Sequence, residues 1–85
     1  MDWDRIGIVT HYFDRIGVAA IELSDELGLG DWIAFVRGDE LLFEQEVTSM
    51  QIDRQDVEYG SAGENVGLRV ADTVKPGIEV YKRVQ

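Results

Sequence analysis

The segment 5–23, RIGIVTHYFDRIGVAAIEL, contains two runs of β-branched and aromatic residues on either side of a short turn that ends in glycine. Such a pattern predicts a β-hairpin, with strands over 5–13 and 18–23 joined by the turn 14–17. Because alternate residues of a strand face the same side, the first strand has one predicted core-facing set. The members of that set are Ile6, Ile8 and Tyr12.

The rest of the chain continues the same pattern of short apolar runs separated by glycine. Further strands are predicted over 32–37, 41–52, 55–59, 65–70 and 78–84, with a bulge near Thr48 and Ser49 to correct the apolar phase of the long one. The segment 24–30 fits either a loop or a single helical turn. We therefore predict an all-β fold, and a closed barrel because closure removes exposed sheet edges. The predicted core comprises Ile6, Ile8, Ala19, Ile21, Ile33, Phe35, Val47, Ile52, Val66, Leu68, Val70, Ile78 and Val80.

Composition limits the chain to one small acidic domain. The 85 residues include 17 Asp and Glu against 8 Lys and Arg, a net charge of −9. This length supports one hydrophobic core, so a single domain over residues 1–85 is predicted. The charge disfavours DNA and any partner gripped by its phosphate backbone. The sequence shows no membrane-spanning run and no signal-peptide pattern, which predicts a cytoplasmic protein.

No catalytic constellation is evident in the sequence. Cysteine is absent, and no GxxxxGK[ST] motif is present, so we expect no GTP binding. The lone histidine, His11, has no sequence neighbours that predict a metal site or a general base. Glu44 and Glu46 are expected to point to solvent from one strand face. We therefore predict that the protein is not an enzyme and that it uses no metal or cofactor.

The segment 62–68, AGENVGL, resembles the A-G-E-N-V-G segment in the second domain of elongation factor Tu and related translational GTPases. Three further segments resemble landmarks of that domain in the same order: RIGIV at 5–9, GDWI at 30–33 and PGIEV at 76–80. The resemblance implies a six-stranded antiparallel Greek-key barrel of the translation-protein type. It also implies a non-catalytic, translation-linked role, with tRNA or a ribosomal component as partner.

The same resemblance implies a site for an RNA 3′ end. The family's glutamate and arginine in that pocket correspond here to Gln51 and Arg54, with glutamine in place of glutamate. The loop residues Gly63, Glu64 and Asn65 complete the predicted RNA-end or partner site. The alternative is that Gln51 and Arg54 simply end a strand at the solvent.

A second hypothesis for the function is a protein-interaction barrel. A similar barrel forms a non-catalytic unit at the C-terminus of collagenase-like peptidases, so docking on a separate enzyme is one form of this hypothesis. Self-association is the other. Trp3 and Trp32 are the candidate anchors, because tryptophan is enriched at interface hot spots. Packing at the barrel end would equally explain both residues.

Overall fold

A computed structural model describes residues 2–84, and this part of the chain contains ten β-strands and no helix. The prediction of an all-β fold is confirmed. The strands are β1 (Trp3–Phe13), β2 (Val18–Leu23), β3 (Leu27–Gly28), β4 (Trp32–Arg37), β5 (Glu40–Glu46), β6 (Met50–Ile52), β7 (Gln55–Asp56), β8 (Tyr59–Gly60), β9 (Asn65–Arg69) and β10 (Glu79–Arg83).

Eight of the strands form one antiparallel sheet in the order β5-β4-β10-β1-β2-β9-β6-β7, while β3 and β8 pair separately. The end strands β5 and β7 are not paired with each other. The prediction of a closed six-stranded barrel is therefore wrong in its closure and in its strand count. Inward residues of β4 and β9, which lie on either side of β1, nevertheless share one core cluster. The sheet must therefore curl around that core.

The strand predicted over 41–52 is interrupted at Val47. The Val47 N–H donates to the Asp31 carbonyl at 2.8 Å, and the Val47 carbonyl accepts from the Gly30 N–H at 2.9 Å. These long-range bonds turn the backbone, and Val47 is buried. As a result β5 pairs with β4 whereas β6 pairs with β9. One predicted bulged strand is thus two strands with different neighbours.

The central strand β1 contains two register shifts, between Arg5 and Gly7 and between Val9 and His11. A bulge adds one residue to a strand and reverses which side the following residues face. Val9 is buried in consequence, whereas Ile8 is only half-buried. The predicted core position of Ile8 is therefore wrong.

The core is a single cluster of apolar side chains, and no polar or charged residue within 2–84 is buried. Every predicted core residue except Ile8 and Ile52 belongs to it, and Ile52 packs against its margin. The segment 24–30, predicted as a loop or helical turn, contains β3, whose Leu27 enters the core. The other buried apolar residues that the sequence pattern misses are Val9, Leu23, Ala34, Met50 and Val74.

None of the secondary-structure elements between residues 2 and 84 is a helix of the length and hydropathy needed to cross a bilayer.

Candidate functional site

Three of the five predicted site residues lie together. Gln51, Arg54 and Asn65 line one open groove with a volume of about 680 Å³. Gly63 and Glu64 do not line it. The structure thus brings together part of the predicted site on the outer surface of the sheet half formed by β2, β9 and β6.

The groove has an apolar floor and one apolar wall. Val18, Ala20 and Gly67 lie at its base, where Ala20 and Gly67 are paired across β2 and β9. Glycine has no side chain, so the floor stays low at this point. Phe13 and Ile16, 46% and 57% exposed, line the same groove from the hairpin turn. We call this surface, together with Gln51, Asp53, Arg54, Asn65 and Val66, the Arg54 groove.

Arg54 is presented by a two-residue turn between β6 and β7. Ile52 pairs with Gln55, which leaves Asp53 and Arg54 as the central residues of the turn. Both have positive φ, 51° and 65° respectively. A hairpin turn with two left-handed residues fits the right-handed twist of its strands but strongly favours glycine, asparagine or aspartate. The Arg54 side chain is exposed at the rim of the groove.

Gly63 and Glu64 shape the turn that leads into β9. Gly63 has φ 92°, and its N–H donates to the Leu23 carbonyl at 2.8 Å. The Leu23 N–H in return donates to the Glu64 carbonyl at 2.9 Å. The Glu64 carboxylate accepts from the Ser61 N–H at 2.7 Å. In this structure both residues hold the turn against the end of β2.

A second surface lies on the outer side of the other half of the sheet. It is a shallow hollow of about 310 Å³ that draws residues from β1, β4, β5 and β10. We call it the Trp3 face, and its members are Trp3, Ala34, Val36, Leu41, Glu44 and Tyr81. Most of these side chains are apolar, and Leu41 among them is 54% exposed, so the hollow presents apolar area to the solvent.

The two tryptophans have different surroundings. Trp32 donates through its indole Nε1 to the Glu44 carboxylate, and the Arg83 guanidinium lies 5.6 Å from the centroid of the Trp32 ring. Trp3 lines the hollow itself. Both side chains are half-buried, so neither is a fully exposed anchor. Glu44 points outward as predicted, but it is bonded to Trp32 and is not only solvated.

Sequence reasoning missed most of the Trp3 face because β4 does not alternate. Residues 32–36, WIAFV, are apolar without interruption. Ile33 and Phe35 face the core, which leaves Ala34 and Val36 on the outer side. A strand that is apolar on both faces is typical of a strand covered on both faces. The uninterrupted apolar run 32–36 therefore indicates, from the sequence alone, a strand with two apolar faces.

His11 packs with its ring edge-on to Phe13, at a centroid distance of 4.4 Å. Within residues 2–84, no group of three or more His, Cys, Asp or Glu side chains is arranged to hold a metal ion.

No protein-family model matches the chain. Two kinds of curated relatives do match it. An uncharacterised protease of Methanocaldococcus jannaschii is 38% identical over 77 residues, which cover 91% of this chain and 19% of the relative. A collagenase of Porphyromonas gingivalis is 31% identical over 78 residues, covering 91% of this chain and 22% of the relative. The chain thus spans about a fifth of the length of these relatives.

Two solved structures share the fold. The C-terminal domain of a candidate U32 peptidase of Geobacillus thermoleovorans superposes with a TM-score of 0.86 at 17% identity, covering 94% of this chain and 92% of that one. Its selenomethionine variant gives a TM-score of 0.84 at 16% identity, covering 91% of this chain and 96% of that one. The fold is that of a U32 peptidase C-terminal domain.

These comparisons correct the resemblance to elongation factor domain 2. The relatives are named proteases and collagenases, and the structural neighbour is a peptidase domain. A translation role, and tRNA or a ribosomal component as partner, have no support. The segment 62–68 has a structural explanation instead, because Gly63 and Glu64 form the turn into β9. Glycine turns that lead into strands occur in many β-folds.

Proposed function

We propose that the chain is a non-catalytic accessory domain that docks on a peptidase catalytic unit through the Trp3 face. The observation that carries the proposal is the apolar surface that the sheet leaves uncovered at Leu41, Val36 and Tyr81. The relatives support the choice of partner, since about four fifths of each lies outside the matching segment.

The chemistry of the Trp3 face suits a protein partner. Trp3 and Tyr81 are half-buried and Leu41 is exposed, so all three retain apolar area that can lose its water on contact. Complete burial of a leucine contributes about 1.5–3 kcal/mol. The Glu44 carboxylate, bonded to the Trp32 indole, provides a charged group next to this apolar centre. An apolar centre with a polar rim is the usual anatomy of an interface.

The proposal can be tested by exchange into a relative. The matching segment of the M. jannaschii protease is replaced by this chain, and the thermal unfolding of the chimaera is compared with that of the isolated chain. Docking predicts that the domain unfolds at a higher temperature in the chimaera than alone. Light scattering with size-exclusion chromatography of the isolated chain shows in the same experiment whether the Trp3 face instead mediates self-association.

Two substitutions provide a matched pair for this test. Leu41→Glu places a charge in the Trp3 face, whereas Ile16→Glu places one in the β1–β2 turn, beside the other half of the sheet. The two side chains are almost equally exposed, at 54% and 57%, so neither change should disturb folding. Leu41→Glu should abolish the rise in unfolding temperature, and Ile16→Glu should leave it intact. Equal behaviour of the two variants would contradict docking through the Trp3 face.

A further inference from the structure

The Arg54 groove carries a cation without an internal partner. The ion pairs within residues 2–84 are Arg5–Glu79, Arg37–Glu40 and Lys82–Asp31. Among the same residues, Arg54 takes part in none of the side-chain hydrogen bonds, although the chain carries a net charge of −9. Its near neighbour Asp56 is bonded to Gln51 at 3.1 Å. The guanidinium is therefore free for a ligand's anionic group.

The backbone conformation at Arg54 also indicates a ligand-binding role for this residue. At φ 65° an arginine holds a conformation that glycine adopts without steric penalty. Unfavourable backbone conformations persist where the surrounding structure enforces them, and they concentrate at ligand-binding and active sites. The conformation is an observed outlier, and the side chain that it presents lies at the rim of an open groove.

The chemistry of the residues that line the groove favours a polypeptide ligand over a nucleic acid. Apart from Phe13, whose ring already packs against His11, its apolar lining is aliphatic and consists of Ile16, Val18, Ala20 and Val66. Single-stranded nucleic acids are bound by several basic residues along the backbone together with aromatic platforms for the bases. Among the described residues that line the groove, Arg54 is the single basic one, so the groove lacks the row of cations that would follow successive phosphates.

We propose that the Arg54 groove binds an extended acidic segment of another polypeptide. A carboxylate of the segment pairs with the Arg54 guanidinium, and a neighbouring apolar side chain packs against Phe13 and Ile16. Arginine suits this role because its planar guanidinium can form two parallel hydrogen bonds with one carboxylate. The inference does not depend on docking through the Trp3 face, which lies on the other half of the sheet.

The direct test is an NMR titration of the isolated chain with two capped peptides. One is acetyl-GLELELG-amide, and the other has glutamine in place of both glutamates. The acidic peptide should shift the backbone amides of Gln51, Arg54 and Gly67 at millimolar concentration. The glutamine peptide should bind about fivefold more weakly, the effect of one partly exposed ion pair.

Four variants show whether the peptide binds in the groove. Arg54→Gly removes the cation and also relieves the left-handed strain, so a loss of binding cannot be attributed to unfolding. It should weaken the acidic peptide about fivefold to the level of the glutamine peptide. Arg37→Gln, which removes a cation from the distant β4–β5 turn, is the control and should change nothing. Ile16→Glu should reduce binding, whereas Leu41→Glu should not.

Three outcomes would overturn the proposal: equal binding of the two peptides, unchanged binding to the Arg54→Gly variant, or no shift at the groove. A shift of the same amides by oligo-dT with none by the peptide would assign the groove to nucleic acid instead. Failure of the Leu41→Glu experiment on the chimaera would leave these results unaffected, so the two proposals can fail separately.

Discussion

The side-chain amide of Gln45 is bonded to the backbone of Arg69 across the open side of the sheet. Its Nε2 donates to the Arg69 carbonyl at 2.9 Å, and its Oε1 accepts from the Ala71 N–H at 2.7 Å. Gln45 belongs to β5 and Arg69 to β9, two strands that are not paired with each other. One side chain therefore supplies the donor and acceptor that a neighbouring strand would otherwise supply.

Removal of this link should destabilise the domain. Gln45→Ala loses both hydrogen bonds to the backbone of residues 69 and 71 and leaves the Ala71 N–H without that partner, so we expect the free energy of unfolding to fall by about 1–3 kcal/mol. Urea denaturation monitored by tryptophan fluorescence measures the change. Gln55→Ala, at an exposed position on β7, is the control and should stay within about 0.5 kcal/mol of the parent. Similar losses in the two variants would show that the Gln45 link contributes nothing specific.

The turn at Arg54 predicts a stabilising substitution. Left-handed backbone costs a non-glycine residue roughly 1–2 kcal/mol, while the greater freedom of glycine in the unfolded chain costs about 0.5–1 kcal/mol. Arg54→Gly should therefore raise the free energy of unfolding, by about 1.5 kcal/mol at most. Gly17 has the same φ of 65°, and a Cβ there would meet no atom within 4 Å, so Gly17→Ala should lower the free energy of unfolding through backbone strain alone. Denaturation curves that move in one direction for both variants would contradict this reasoning.

Local sequence pattern predicts the strands whose pairing is local. The bounds of β2 and β4 agree with the predictions for 18–23 and 32–37, since each run of β-formers ends at charged, polar or glycine residues. The break at Val47 was out of reach, because it depends on hydrogen bonds to Gly30 and Asp31 from the preceding turn. No property of the residues 41–52 alone distinguishes a bulge from a change of partner strand.

The two candidate surfaces likewise differ in how far the sequence pattern predicts them. Gln51 and Asn65 come together because β6 and β9 pair, and their sequence separation is short. The Trp3 face is assembled from β1, β10 and the β4–β5 hairpin, with Trp3 and Tyr81 at opposite ends of the chain. Pairing between the first and last strands brings them together, and periodicity within one strand contains no information about that pairing.

Close approach of two backbones predicts a different effect at Gly7. A Cβ at this position would lie 2.8 Å from the Glu22 carbonyl oxygen and 2.8 Å from the Ile21 Cγ2. The carbonyl belongs to a paired strand and cannot move aside, so Gly7→Ala should cost about 1–3 kcal/mol of stability. At Gly28 the nearest atom would be 3.5 Å away, and Gly28→Ala should be tolerated within about 0.5 kcal/mol. Thermal unfolding of both variants tests the difference.

The bulges in β1 predict which of two adjacent apolar residues supports the core. Regular alternation places Ile8 inward, whereas the structure buries Val9 and leaves Ile8 half-exposed. Val9→Ala removes two buried methyl groups, worth about 0.8 kcal/mol each before the cost of the cavity, so we expect a loss of about 2–3 kcal/mol. Ile8→Ala removes a larger side chain but should cost less than about 1 kcal/mol, because much of that side chain is already in water. Urea denaturation of the pair decides between the two registers. Val9→Ala is the smaller truncation, so it can be the more damaging one only if Val9 is the residue that faces the core. A larger loss of stability for Ile8→Ala would instead indicate a regular strand without the bulges.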